Sequence, residues 1–264
     1  MIKLIASDID GTLIHGSQSE LSPRLFSLIG ELNRKGILFA PASGRQYHSM
    51  RLLFAPVADQ LCFLCENGSE VYGPSRDESS APVLSRTEIS REICDPLIDH
   101  ILADPSRSAL ISGSNSSWLI CRHEAFLDRM ANFTRNLFQV VEDKSQITGP
   151  IIKVAAYCSE GSVEADADMG QTWRAKGLTV SQAGWLWLDF TLANKGTGLR
   201  EMCRALDISL DEVMVFGDNY NDKAMLDLAG HPVIMDNAAP ALRALYPYHC
   251  ACVEDYLEEF ISSL

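Results

Sequence analysis

Ile2-Lys3-Leu4-Ile5-Ala6-Ser7-Asp8-Ile9-Asp10-Gly11-Thr12-Leu13 is an apolar run that ends in two carboxylates and a glycine. The first five residues predict a buried strand, and the two acids stand at its mouth. Residues i and i+2 of a strand point the same way, and a glycine directly after them lets the backbone turn close to a ligand. Two like charges this close call for a cation, a shared proton or a phosphate. Read alone, Asp-Gly after a strand is also an ordinary turn. Partners elsewhere in the chain decide between the two readings.

Outward from that strand, Ser22-Pro23 provides an N-cap with proline at the first helical position, and Leu25, Phe26, Leu28, Ile29 and Leu32 form an apolar face that ends at Gly36. Ile37 to Ala40 is a second buried strand, leading into Pro41-Ala42-Ser43-Gly44-Arg45. Strand, helix, strand in this order implies parallel strands joined by a right-handed crossover, with ligands beyond the carboxyl ends of the strands. Asp8, Asp10 and Ser43 are therefore expected at one sheet edge. A helix from Tyr47 to Phe54, a strand from Leu61 to Cys65, a tight turn at Glu66-Asn67-Gly68-Ser69 and a return strand over Glu70 to Gly73 predict a hairpin on the same sheet.

Residues 74–85 are rich in Ser, Pro, Asp and Arg and mark a domain boundary. Beyond them lie a helix over 87–103, strand-like runs at 109–111 and 118–121, a helix over 123–133, a strand at 151–157, a helix over 163–176 and an edge strand at 178–180. This order describes an inserted α+β module. From Trp185 to Phe190 an alternating strand puts Trp185, Trp187 and Asp189 on one side, as a ligand surface or as packing between modules. The parallel rhythm then resumes with a helix from Asn194-Lys195-Gly196, a strand over 212–216, the turn Gly217-Asp218-Asn219-Tyr220-Asn221-Asp222 with a helix to Gly230, a strand over 232–235, a helix near 239–245, a strand over 251–253 and a terminal helix from Asp255. The fold class predicted is α/β, a Rossmann-like core with a mostly parallel sheet over 1–83 and 188–264, carrying an inserted α+β cap over 84–187.

Composition narrows the function. With 264 residues, 47% of them apolar, the chain can bury a large core, and a net charge of −13 disfavours nucleic acid and anionic membranes as partners. No apolar run approaches bilayer length, and the amino terminus meets Asp8 and Asp10 too soon for a signal peptide, so the expected location is the cytoplasm. The eight cysteines are scattered through apolar runs, as reduced core thiols would be. Cys62-Phe63-Leu64-Cys65 has C-x-x-C spacing but sits inside a strand-like run without a second pair, which favours a buried structural role. The six histidines lack H-E-x-x-H spacing, and Gly196-x-Gly198 lacks the third glycine of a dinucleotide fingerprint.

Four separated segments remain, each at a strand end or helix start: Asp8/Asp10, Ser43-Gly44-Arg45, Lys195, and Asp218 with Asn221/Asp222. Their order resembles the haloacid dehalogenase-like (HAD) phosphohydrolases, whose motifs are D-x-D-G-T, a Ser or Thr ending the second strand, a Lys and a G-D-x-x-N-D turn. Ala42-Ser43-Gly44-Arg45, Asn67-Gly68, Asn194-Lys195-Gly196 and Met235-Asp236-Asn237-Ala238 are similar to the Cof-type branch of that superfamily.

The resemblance implies a Mg²⁺-dependent phosphatase for small phosphorylated metabolites such as sugar phosphates. Asp8 would be the nucleophile that forms an aspartyl-phosphate, and Asp10 the acid for the leaving alcohol and then the base for water. Asp218, the Asp8 carboxylate and the Asp10 backbone carbonyl would hold Mg²⁺. Lys195 would neutralise Asp8 and the phosphate, with Ser43, Gly44, Arg45 and Asn221 at the phosphate, and Asn221 and Asp222 supporting Lys195 and metal-bound water. Arg45 serves substrate or a surface acid equally well on this reading. A sugar phosphomutase or a ligand-binding relative without turnover are the alternatives.

Overall fold

The computed structural model describes residues 1–16, 20–130 and 135–264. Its contacts divide the chain into two units, Met1–Ser43 with Met50–Ser85 and Lys195–Leu264, and Gly44–Ser49 with Arg86–Asn194.

In the first unit, five parallel strands lie in the order Tyr248–Cys250, His231–Met235, Val213–Gly217, Leu4–Ser7, Leu38–Pro41. The opening strand is thus central, paired on both sides, which explains why it reads as an unbroken apolar run. Ser7 stands level with both Phe216 and Pro41, so Asp8, Ala42 and Gly217 leave the sheet at the same edge. Helices cover both faces. Leu4, Ala6, Val213 and Val215 pack with Leu199 and Met202 of the helix Lys195–Leu206 and with Met225 of Lys223–Leu226. Phe216, next along its strand and so on the opposite face, meets Tyr256 of the helix Val253–Ser262 edge-on.

The helix Pro23–Arg34 begins as its sequence dictates. Proline opens it, the Ser22 hydroxyl accepts from the Leu25 N–H at 3.1 Å, and Leu25, Leu28, Ile29 and Leu32 are buried. Each such leucine contributes roughly 1.5–3 kcal/mol through removal from water. Arg24 pairs with Asp255 and Glu258 and so ties this helix to the C-terminal one.

Three expectations change in this unit. The hairpin strands Phe63–Cys65 and Glu70–Tyr72 do not extend the parallel sheet; they form a separate three-stranded sheet with Val83–Arg86. An isolated bridge, Ala42 to Leu64, still links the two sheets, with Cys62 N–H donating to Phe39 O at 3.2 Å and Ser43 N–H to Leu64 O at 2.9 Å. That third strand also occupies the end of the polar stretch read as a linker. The last parallel strand is Tyr248–Cys250 rather than 251–253, and Val253 already begins the helix.

The second unit is a six-stranded sheet in the order Thr179–Gln182, Trp187–Thr191, Lys153–Cys158, Arg107–Gly113, Ser116–Ile120, Gln139–Val140. Its pairs are antiparallel except the last. One face packs on the helix Arg91–Ala103 and on a helical stretch over 162–175 that contains a π-turn at Asp166–Gly170. The other carries Leu110, Leu119, Ala155 and Tyr157 against Phe126 and Met130. The helix predicted over 123–133 is described as Glu124–Arg129, and its end at 131–133 lies outside the described residues.

The strand Trp187–Thr191 pairs with Thr179–Gln182 and with Lys153–Cys158, so it belongs to this sheet and the first unit resumes at Lys195 instead of 188. Trp187 packs inside the unit, with ring centroids 5.6 Å from Phe126 and 5.4 Å from Tyr157, while Trp185 is exposed. All eight cysteines are free, and burial pushes the Cys62 thiol up to about 12 and that of Cys65 well above its ordinary value, which suits packing and not redox chemistry. Among the described residues no helix is long and apolar enough to cross a membrane.

Candidate active site

The strand Leu4–Ser7 stops one residue before Asp8. From Ile9 the chain closes on itself: the N–H groups of Leu13 and Ile14 both donate to Ile9 O at 2.9 Å, and Gly11 N–H donates to Ile14 O at 2.8 Å. The i, i+2 relation of an extended strand therefore does not govern the two acids. Asp8, whose N–H donates to Phe216 O at 3.0 Å, is 5% exposed, whereas Asp10 is exposed. Two carboxylates in unlike surroundings are suited to unlike chemical work.

Lys195 is the first residue of its helix and only 1% exposed. The helix can sit this deep because of its glycines. A Cβ on Gly196 would lie 2.4 Å from Ala224 O, so the Gly196-x-Gly198 pattern serves close packing. The Lys195 ammonium donates to Asp8 Oδ1 and, at 2.6 Å, to Asp222 Oδ1. Asp222 Oδ2 in turn accepts the N–H groups of Asp218 and Asn219, each at 3.0 Å. One fully buried carboxylate thus folds the acidic turn and orients the lysine.

Asp218 is half-buried and steered by two residues to which the sequence attached no role. Thr12 Oγ1 donates to Asp218 Oδ1 at 3.2 Å, and Asn237 Nδ2 donates to Asp218 Oδ2 at 3.4 Å and to Gly11 O at 2.9 Å. The signal available for Asn237 was topological: it follows the strand His231–Met235 at the edge where Asp8 and Asp218 emerge. Asn221, in contrast, is exposed, and its side chain has no hydrogen bond among the described residues. Asp222, the other residue expected in support, holds Lys195 and the turn. Ser43 is buried at the same edge, its N–H donating to Leu64 O at 2.9 Å and its carbonyl accepting from Asn67 N–H at 2.9 Å. Gly44 and Arg45 belong by their contacts to the second unit.

Electrostatics set the chemistry. Burial first, and then the charge of Asp222, push the Asp8 carboxyl up to about 8 against the pull of Lys195, with Asp218 adding to the push. Burial and Asp222 raise Asp218 as well. Burial alone would lower Lys195, but Asp222 and Asp8 outweigh it and hold the ammonium above its ordinary range. One cation among three carboxylates leaves the cluster short of positive charge.

The donor set fits a hard divalent cation. Asp8, Asp218 and Asp222 each offer an oxygen within 4.8 Å of one another. Asp8 Oδ2 is buried and has no hydrogen-bond partner among the described residues. Gly11 gives this cluster its room, since its φ is +102° and a Cβ there would lie 2.3 Å from Asp218 Oδ2. Gly11→Ala is expected to displace the Asp218 carboxylate and to weaken the hold on a divalent cation; thermal melts of both proteins along a Mg²⁺ titration check it.

Known proteins resemble this chain along most of its length. Residues 5–255 match a family described as haloacid dehalogenase-like hydrolase. The chain is 26% identical to the 5-amino-6-(5-phospho-D-ribitylamino)uracil phosphatase YbjI of Escherichia coli (strain K12), over 94% of this chain and 90% of that protein. It is 27% identical to the HMP-PP phosphatase of Cronobacter sakazakii, over 99% and 96%. A haloacid dehalogenase-like hydrolase from B. subtilis superposes with a TM-score of 0.82 at 20% identity, covering 97% of this chain and 99% of that one, a likeness of fold. The α/β architecture, the cluster at its sheet edge and the match across nearly the whole chain lead to one conclusion: this protein belongs to the haloacid dehalogenase-like hydrolases.

Proposed function

We propose that the chain is a Mg²⁺-dependent phosphatase that hydrolyses monoesters of small phosphorylated metabolites through an aspartyl-phosphate, and that it works in the cytoplasm. The observation that carries this reading is the buried Asp8 carboxylate, with one oxygen held by Lys195 and the other without a partner among the described residues. A nucleophile needs that combination, fixed on one side and open on the other.

In the first step an Asp8 oxygen forms a bond to phosphorus as the ester P–O bond breaks, and Asp10 gives its proton to the departing alkoxide. In the second, water attacks the same phosphorus, Asp10 takes back a proton, and the P–O bond to Asp8 breaks to regenerate the carboxylate. Exposure of Asp10 suits a group that exchanges protons with alcohol and water. Lys195 offsets charge on Asp8 and on the transferred group, while the Ser43 hydroxyl and the Gly44 N–H bind phosphoryl oxygens, with Arg45 as a further substrate contact. Asp8, Asp218 and the Asp10 carbonyl would hold Mg²⁺, which supplies charge neutralisation for the transferred phosphoryl group. Asp222, whose two oxygens are already engaged, supports Lys195 and the turn instead of ligating directly. Residues 86–194 would act as the cap that selects the alcohol.

The test is a phosphate-release screen with purified protein over sugar, nucleotide and cofactor phosphates. It should include 5-amino-6-(5-phospho-D-ribitylamino)uracil and HMP-PP, the compounds in the relatives' names. Release with Mg²⁺ and its loss on chelation, by ~10³-fold or more given what charge stabilisation contributes, is the expected result. Isomerised sugar phosphate without free phosphate would indicate a mutase, and thermal stabilisation by ligand without turnover a binding protein.

A further inference from the structure

The hairpin turn Glu66-Asn67-Gly68 keeps a backbone that its sequence resists. Glu66 and Asn67 have φ of +50° and +56°, and Gly68 has +93°. Three residues in a row thus lie in the left-handed region, where glycine is at ease, asparagine is tolerated and glutamate is not favoured. Such conformations persist where the surrounding structure over-determines them, and they gather at functional sites. The surroundings here are two segments of the same unit, each carrying a site residue.

One segment follows the strand Leu38–Pro41. Ala42 N–H donates to Ser7 O at 2.8 Å, so Ser43 and Asp8 each come directly after a member of one hydrogen-bonded pair. Ser43 N–H donates to Leu64 O, and Ser43 O accepts from Asn67 N–H, both at 2.9 Å. The hairpin therefore holds both backbone groups of Ser43. The left-handed turn reverses the chain quickly enough for Asn67, three residues after Leu64, to return to the residue that Leu64 already grips.

The other segment is the helix Lys195–Leu206. A Cβ on Gly198 would lie 2.7 Å from Gly68 Cα, 3.0 Å from Gly68 O and 3.1 Å from Leu64 Cδ1. Helix and turn thus meet backbone to backbone, with no side chain between them that could yield. Gly198 is three residues beyond Lys195, in the same first turn of the helix.

We propose that the turn 66–68 is a positioning element of the active site, a spacer that sets Ser43 against Lys195, with Asn67 and Gly198 as its positioning residues. Hydrogen bonds fix Ser43 to one side of the spacer, and the contact of Gly68 with Gly198 fixes the start of the Lys195 helix to the other. Hydroxyl donor and ammonium are then held at one separation before substrate arrives. This inference rests on the phosphatase reading, in which Ser43 and Lys195 serve the same phosphoryl group.

The experiment measures kcat, KM and inhibition by inorganic phosphate, with p-nitrophenyl phosphate as substrate and Mg²⁺ present, together with thermal melts. It compares the full-length protein with its Asn67→Gly, Asn67→Ala, Asn67→Val and Gly198→Ala variants. Glycine accepts the left-handed backbone, alanine resists it and valine resists it most. Asn67→Gly is therefore expected to keep kcat within a few-fold of the parent, Asn67→Ala to lower it, and Asn67→Val to lower it by ~10²-fold, the scale of a small misplacement in a reacting site. Phosphate inhibition should weaken in the same order. Asn67→Val made in Ser43→Ala protein should cost far less, because the hydroxyl it displaces is already gone. Gly198→Ala should lower kcat by ~10²-fold as well, even though alanine suits a helix better than glycine.

Equal losses in all three Asn67 variants would assign the effect to the asparagine side chain. Graded melting temperatures with kcat and phosphate inhibition unchanged would make the turn merely structural. Either result overturns the proposal, as does the parent's kcat in Gly198→Ala. Should Asn67→Val fold poorly, Asn67→Ala against Asn67→Gly carries the same comparison. Should the parent release no phosphate from any substrate, the phosphatase reading fails separately, and crystal structures of the parent and the Asn67 variants decide on the spacer. A shift of Ser43 relative to Lys195 by ~0.5 Å or more in Asn67→Val and not in Asn67→Gly supports it; an unchanged separation in both overturns it.

Discussion

Asp8→Asn is expected to remove turnover, by ~10⁴-fold or more, without unfolding the protein. The amide cannot attack phosphorus, and loss of a covalent nucleophile costs about that much where the remaining groups still bind substrate. Stability should move the other way in metal-free protein. An unfolded aspartate loses its proton near its ordinary value of about 3.9, whereas the folded Asp8 carboxyl holds it up to about 8 because of burial and Asp222. Between these values the folded state binds the additional proton, so this group makes stability fall as the pH rises. Asparagine has no such proton, and the variant should melt no lower than the parent at pH 7. Phosphate release and thermal melts on the two proteins, with metal removed for the melts, check both halves. Turnover close to the parent's would sink the proposed nucleophile.

Lys195→Met is expected to damage fold and activity together. The ammonium is the cation that hydrogen-bonds Asp8 and Asp222, and all three side chains are nearly or wholly buried. Removing one partner of a buried ion pair costs roughly 3–5 kcal/mol, because the charge left behind has neither water nor counter-ion. In a chain of this size that is on the order of a 10 °C fall in melting temperature. Asp222 also caps the backbone of the acidic turn, so loss of the lysine is felt at Asp218 as well. Mg²⁺ should restore part of the stability, since it returns positive charge to the cluster, but little of the activity. Melting curves and kcat with and without Mg²⁺ separate the two effects. A variant as stable as its parent would mean that Lys195 does not neutralise this cluster.

Much of this was legible in the chain because the parallel sheet imposes a simple rule. Apolar runs such as 2–6, 37–40 and 212–216 are buried on both faces and stand out without alternation, and their carboxyl ends had to share an edge. Ser22-Pro23 set a helix start by local chemistry alone. The illegible parts depend on pairing partners. Whether the strand at 63–65 joins the large sheet or a small one is a choice of hydrogen-bond neighbours, and the alternation in 185–190 is the same for either unit. Thr12 and Asn237 escaped assignment because their work lies in a distant carboxylate, Asp218. Asn221 and Asp222 are adjacent and equally polar, and only the direction of the turn makes one exposed and the other fully buried.

The position of Leu4–Ser7 between Leu38–Pro41 and Val213–Gly217 also bears on biosynthesis. One edge of Leu4–Ser7 finds its neighbour soon after it is made, whereas the other must wait until the ribosome has added some two hundred further residues, roughly 10–40 s at ordinary elongation rates of 5–20 residues per second. Throughout that interval an apolar strand has an open flank, the state in which unpaired edges recruit other chains. The Lys195 contact to Asp8, 187 residues apart in sequence, is subject to the same delay. The nascent protein therefore carries Asp8 long before Lys195 and Asp222 can meet it, and its opening-strand flank stays unpaired while the second unit is being synthesised.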